Sequence, residues 1–367
     1  MFCRVKRGFS AVLASFLVVA GTTPIAPMAH AEGPNPLRLR LVKTFGKNIS
    51  PKSVVAGPAG LVIAQNMMYT HGISVYDASG KSVKRISDRL PRSMLGLRGS
   101  GEVSGSPVEA AFSPDGKFAW VTNYEMFGAG FNRPGFDKCS GTAKYDRSWV
   151  YKVNMDTLTV VGTVKVGEVP KFVAVSPDGK WVLVTNWCSF NVTVINALNN
   201  EVVKTIELGR YPRGIVVTKD STRAYLTVMG AAKLAVLDLT TLTVKFWKSA
   251  ATTPRHLLLS PDEQTLYVTH NLSSVVTAHD AATGRVKKRL RTGIEPRSMA
   301  MSPDGRALYV VNYASNTLTV VSTKTMRVVQ TLATGQHPVG VTFEPTKNRV
   351  WVACYAGLLQ IFAMTTT

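Results

Sequence analysis

From Pro51 onward the chain is a succession of short apolar, β-branched runs broken by turn residues, and the whole pattern returns seven times. The third return reads clearly. Phe172 to Val175 is followed by Ser176-Pro177-Asp178-Gly179, a stretch suited to a type I turn, with proline at its second position and glycine at its end. A second run, Trp181 to Thr185, stops at Asn186-Trp187; a third occupies Val192 to Ile195 and a fourth Val202 to Leu208. Alternating runs of this length between turn signals predict four strands per block. Each block opens on a proline (Pro51, Pro107, Pro170, Pro212, Pro254, Pro296 and Pro338), and the last four steps are all 42 residues. That period is too long for a leucine-rich unit, and the blocks are too β-branched for a helical repeat. It fits a four-stranded propeller blade.

The ends of the pattern predict how the ring closes. The seventh block stops after its third run, Leu358 to Phe362, so it lacks an outer strand. Ahead of the first block lies Leu39 to Phe45, with Thr44 seven residues before Pro51 as Thr205 is before Pro212. The expectation is an all-β, seven-bladed propeller in which the N-terminal strand completes the last blade and removes the open edges of an incomplete ring.

Val121-Thr122-Asn123, Val184-Thr185-Asn186, Tyr267-Val268-Thr269-His270 and Tyr309-Val310-Val311-Asn312 resemble the repeat signature of YVTN β-propellers, and YncE-like secreted proteins are the nearest kind. The likeness covers nearly all of residues 37 to 363. It implies an exported seven-bladed ring and leaves activity unassigned. The Trp-Asp and Gly-His marks of WD40 repeats are absent from the sequence.

Composition adds a destination and a charge. Arg4, Lys6 and Arg7 precede the apolar stretch Phe9 to Ala20, and Ala29-His30-Ala31 offers small residues for cleavage, so residues 1–31 read as a secretory signal and 32–367 as one propeller domain. A secreted or periplasmic protein is expected, with no transmembrane segment, and a monomer. The chain carries 43 lysines and arginines against 22 acidic residues; without residues 1–31 it carries 40 against 22, a formal charge of +18. An excess of that size favours anionic partners by long-range attraction. Cys139 falls in a long insertion, residues 125–147, after the second strand of block two, and Cys188 lies in the matching loop of block three. Adjacent blades bring those loops together and export permits oxidation, which predicts a Cys139–Cys188 disulfide, with the insertion as an ordered lid and Cys354 a free thiol.

The Ser-Pro-Asp-Gly turns occupy one face of the ring, so the loops after the second strands and the loops into the next blade share the other. Directly after the block prolines come Lys52, Lys171, Arg213, Arg255 and Arg297, with Val108 and Val339 as exceptions. These predict an incomplete cationic ring at the channel mouth. Around it the second strands end in Asn123-Tyr124, Asn186-Trp187, His270 and Asn312-Tyr313, and His256 follows Arg255. Amides and aromatics alternating with cations suit an anionic ligand with planar or sugar-like parts. The plainer alternative is that each position belongs to the repeat, with arginine bonding loop carbonyls and asparagine capping a turn. His71, His256, His270 and His337 have no metal-ligand spacing, and no cofactor motif is present.

Two functions follow. One is an exported, non-catalytic binding or scaffold propeller engaging an envelope polymer, an acidic protein or a nucleic acid. The other, by resemblance to related propellers, is a metal-dependent lactonase-like hydrolase that would hold a divalent cation in the channel, drawing oxygens from Asn123, Asn186 and Asn312. The cationic first-strand positions and a single well-placed carboxylate, Glu109, weigh against it.

Overall fold

The computed structural model describes residues 34–46, 48–139 and 144–365. The expected signal, residues 1–31, lies outside them. Seven antiparallel sheets follow one another along the chain, six of four strands and one of five. Blade one runs Pro51–Ala56, Val62–Asn66, Ile73–Tyr76 and Ser82–Ile86; blades three to six repeat that order. Blade seven consists of Pro338–Glu344, Arg349–Cys354 and Leu358–Thr365, and its fourth strand is Asn35–Phe45. Lys43 pairs with Ile361 and Phe45 with Leu359 in antiparallel register, so the two ends of the ring lock through one sheet. The propeller and its mode of closure are as the repeat predicts.

The core lies between neighbouring sheets. Valine, isoleucine and leucine at alternate positions of the second and third strands meet the same kind of position on the next blade, whereas the fourth strands face solvent with lysine, arginine and threonine. Leu39 (2% exposed) and Phe362 (0%) pack with Tyr309 and Val311 of blade six, which ties the N-terminal strand into the interior. No helix among the described residues is long and apolar enough to cross a membrane.

Blade two departs from the repeat. Its first strand is lengthened to Glu102–Phe112 and its second to Phe118–Phe127, and Arg89–Pro91, from the segment that follows the last strand of blade one, adds a fifth strand. The insertion expected at 125–147 therefore begins as a continuation of the second strand, and the third strand starts at Arg147.

Each first strand carries a bulge at its mouth end. Pro170 pairs with Asn186 and Phe172 with Thr185, leaving Lys171 as the extra residue; the same irregularity follows Pro51, Pro107, Pro212, Pro254, Pro296 and Pro338. A bulge re-aims the side chain it carries. Here the extra residues include Lys52, Lys171, Arg213, Arg255 and Arg297. In blades three to seven the residue before the proline sits in the left-handed region: Val169, Tyr211, Thr253, Glu295 and His337 have φ between 52 and 63°. None is glycine, and such conformations cost about 1–3 kcal/mol each unless the surroundings impose them.

If Asn35–Phe45 is a structural strand of blade seven, Leu39→Ala should cost about 2–5 kcal/mol of unfolding free energy, as for any filled core position. Denaturant unfolding of the variant measures this; a loss below about 0.5 kcal/mol, the range of surface substitutions, would mean the strand is peripheral.

Candidate functional site

The bulges deliver the five cations to one place. Lys171, Arg213 and Arg255 are 4%, 8% and 8% exposed, and Lys52 and Arg297 are half-buried beside them. Burial holds the Lys52 ammonium well below its ordinary range, and the charges of Lys171, Arg213, Arg255 and Arg297 depress it further. Arg255 is lowered in the same way, by burial and then by Arg213 and Arg297. Like charges on five blades feel one another across the channel.

The ends of the cationic arc are held by protein. Lys171 on blade three pairs with Asp137, a carboxylate of the insertion, which also accepts from Tyr124 Oη at 3.0 Å. The Lys171 ammonium lies 4.2 Å from the Tyr124 ring centroid and 5.3 Å from that of Trp187. On blade six, Arg297 sits 3.4 Å from the Tyr313 centroid and 3.3 Å from Glu295. Lys52 lies over Tyr355 at 4.8 Å. Tyr313 stacks on His337 at 4.5 Å and Trp187 on Tyr211 at 4.6 Å, which fixes the rings beneath the charges. Arg213 and Arg255, on adjacent blades four and five, stand between. Among the described residues neither guanidinium has a hydrogen-bond or ion-pair partner.

The disulfide Cys139–Cys188 is present, with Cα atoms 5.2 Å apart, and Cys354 is free and buried. Two residues before Cys139, Asp137 is fastened over the mouth: Trp187 Nε1 donates to its carbonyl at 3.0 Å. Its side chain is open to solvent above, and although burial at its sides pushes the carboxyl up, Lys171 and Lys52 hold it well below the usual range. The position of Asp137 was not foreseen from the sequence. The signal was there, because the disulfide that predicts the lid also sets Asp137 beside Lys171.

The amides are a correction. Asn123, Asn186, Asn312 and His270 are wholly buried behind the mouth and serve the blade itself. Asn186 donates through Nδ2 to Asn191 and Thr193, each at 2.8 Å, and accepts from Gly167 N–H at 3.1 Å. Asn312 bonds Thr317 and Thr319, Asn123 bonds the Trp149 carbonyl, and His270 Nε2 lies 2.9 Å from Thr277. The bulge explains it: the second-strand residue that pairs with the block proline turns its side chain inward to bridge strands two and three. Burial lowers His270 to about 4. His256 lines the channel, accepts from Met299 N–H at 3.3 Å, and is pushed down to about 3 by burial with Arg213 and Arg255. Both are neutral imidazoles.

A divalent cation does not fit this site. Asn186 Oδ1 is taken by Gly167 N–H, and Asn123 Oδ1 and Asn312 Oδ1, though without a partner, lie wholly buried in separate blades two and six; five cations line the mouth, and no three His, Cys, Asp or Glu side chains cluster as ligands among the described residues. Glu109 lies in the channel wall below the mouth. Burial raises it to about 7 against the opposing pull of Arg213, a bond from Ser53, and Lys52.

Two family models match parts of the chain: the YNCE-like β-propeller over residues 142–223 and the lactonase seven-bladed β-propeller over residues 239–354. The resemblance to YncE-like propellers thus extends beyond the repeat signature. Among solved structures, Kuenenia stuttgartiensis hydrazine synthase is similar at a TM-score of 0.68 and 18% identity, covering 88% of this chain and 98% of that one; at that identity the likeness concerns the fold alone. A search of curated proteins found no match.

Glu109 gives the site a pH signature. The folded carboxyl keeps its proton to about pH 7, whereas an unperturbed glutamate releases it near 4.5. Between those values the folded state binds more protons, so stability falls as pH rises through the window. Glu109→Gln should match the parent below the window and exceed it in stability above pH 7, as denaturation at pH 4, 6 and 8 would reveal; parallel curves would mean the carboxyl is not held protonated.

Proposed function

We propose that the protein is an exported, non-catalytic binding propeller whose basic mouth receives an anionic group of its partner. The observation that carries this reading is the pair Arg213 and Arg255. Both are more than nine-tenths buried, both feel the charge of Arg297, and neither has a hydrogen-bond or ion-pair partner among the described residues, Glu109 acting on Arg213 only at longer range. A desolvated guanidinium without an acceptor is destabilising, and removal of that penalty is a strong driving force for taking up an anion. Two adjacent planar forks suit a carboxylate or phosphate bridging them. The formal charge of +18 for residues 32–367 would steer such a partner towards the ring. Export is supported by the basic, apolar and small-residue order of residues 1–31 and by the disulfide.

Hydrolysis in the channel is the rival reading. The lactonase match over residues 239–354 favours it, and cations where carboxylate ligands would be needed oppose it.

Calorimetric titration with phosphate and with acetate tests the reading. Arg213→Ala/Arg255→Ala should abolish saturable binding while thermal stability holds or rises, because the change removes mutually repelling buried charges rather than a paired network. Binding that survives the double substitution would move the site elsewhere. Export has its own check: the N-terminal residue of protein recovered from outside the cytoplasm should be Glu32.

A further inference from the structure

The mouth has a second property besides charge. Four large apolar side chains stand exposed on its loops: Tyr69 at 87%, Leu272 at 67%, Ile294 at 59% and Phe136 at 57%. They surround the recessed cations from blade one, blade five, the loop into blade six and the insertion. The loops 249–253, 271–274, 292–295, 313–316, 334–337 and 355–357, which form this face on blades five to seven, contain no lysine or arginine. A polyanion that tracks across a surface needs cations along its path. Leaving the ring on this side it would meet apolar and neutral residues and one carboxylate, Glu295. Recessed arginines beside aromatic and large apolar side chains are instead the residue types enriched at protein-binding hot spots.

The chain also supplies an example of what the ring accepts. Asp137 is a carboxylate carried by a loop and presented to the ring from above, bonded to Lys171 and Tyr124 and flanked by the exposed Phe136. It satisfies one end of the arc and leaves Arg213 and Arg255 without an acceptor. An acidic side chain next to an apolar one, offered by polypeptide, is thus already seated at this mouth once.

We propose that the mouth face is a docking surface for an acidic segment of a protein partner, one carboxylate of which sits on Arg213 and Arg255 while its apolar neighbours meet Leu272 and Ile294. This rests on the anion-binding reading above and adds the class of partner. Charge complementarity selects the carboxylate, the depth of the pair selects a protruding segment over a flat surface, and the apolar rim separates a peptide from a free anion.

The test uses the full mature chain and four probes: a short capped peptide with aspartate between leucine and phenylalanine, its asparagine counterpart, acetate, and single-stranded DNA, with phosphatidylglycerol vesicles as a further comparison. The aspartate peptide should bind saturably and at least about ten-fold more tightly than either acetate or the asparagine peptide, a gap of about 1.4 kcal/mol. Leu272→Ser/Ile294→Ser should weaken the peptide about ten-fold and leave acetate unchanged; both residues are exposed loop positions, so folding is preserved. A peptide no tighter than acetate, or indifferent to the rim substitutions, overturns the docking proposal while the anion site stands. DNA or vesicles binding more tightly than the peptide overturns it in favour of those partners. If neither acetate nor phosphate responds to Arg213→Ala/Arg255→Ala, the anion-binding reading itself fails and this proposal fails with it.

Discussion

A threonine hydroxyl reaching from one blade to the next organises the face that matters. Thr185 Oγ1 donates to the Arg213 carbonyl at 2.7 Å, Thr227 Oγ1 to the Arg255 carbonyl at 3.0 Å, and Thr269 Oγ1 to the Arg297 carbonyl at 3.5 Å, each across 28 residues. The acceptor is in every case the backbone of the bulged cation. A bulge leaves a residue unpaired in its own sheet, and an unpaired buried carbonyl is costly. The neighbouring threonine satisfies it, so the same bond joins blade to blade and fixes the residue whose side chain points into the channel. Gly214, directly after Arg213, keeps the approach close: a Cβ there would lie 2.8 Å from the Arg255 carbonyl.

The mouth is consequently built from backbone geometry outward. Left-handed residues before the prolines are fixed by main-chain bonds from the residue after the second strand: Trp187 N–H to the Val169 carbonyl at 3.0 Å, Tyr313 to Glu295 at 2.9 Å, Tyr355 to His337 at 2.9 Å. Those donors are the aromatic residues over which Lys171, Arg297 and Lys52 lie. Strained turn, aromatic platform and cation form one unit, repeated with variation around the ring. Cation–aromatic contacts of this kind contribute about 0.5–2 kcal/mol each, too little to offset burial of like charges, which leaves the central pair dependent on something outside the blade.

Much of this was legible in the sequence, and the limits are physical. The period and the prolines determine the blades, because each block must bury its faces against the next. The residue after each proline was identifiable as a channel residue from position alone. The amides were misread because a strand-end residue can face the mouth or turn inward, and a one-residue bulge decides which. Nothing local in Val184-Thr185-Asn186 announces the bulge, which lies on the partner strand. Blade two resisted for a different reason: the lengthened strands and the insertion occur once, so no repeat averages out their local signals. The fifth strand, Arg89–Pro91, reads from sequence only as irregular basic chain.

Uniqueness is also what gives the insertion its effect on the ring. Six blades present only what the repeat allows, and a ring of identical cations would be satisfied equally well from any direction. The disulfide fastens one non-repeating carboxylate at blade three, and Glu295 does the same from within blade six. With Lys171 and Arg297 paired to carboxylates, Lys52 on blade one and Arg213 and Arg255 on blades four and five are left without an acceptor among the described residues. Asp137 also acts at longer range on Arg213 and Arg255, raising their proton affinity slightly without bonding them. On the proposed reading, a carboxylate in that position would orient an incoming anion by exclusion, repelling a second negative charge from the Lys171 side and leaving the path over Leu272 and Ile294. Such a direction would arise from a single residue placed against the symmetry of the fold.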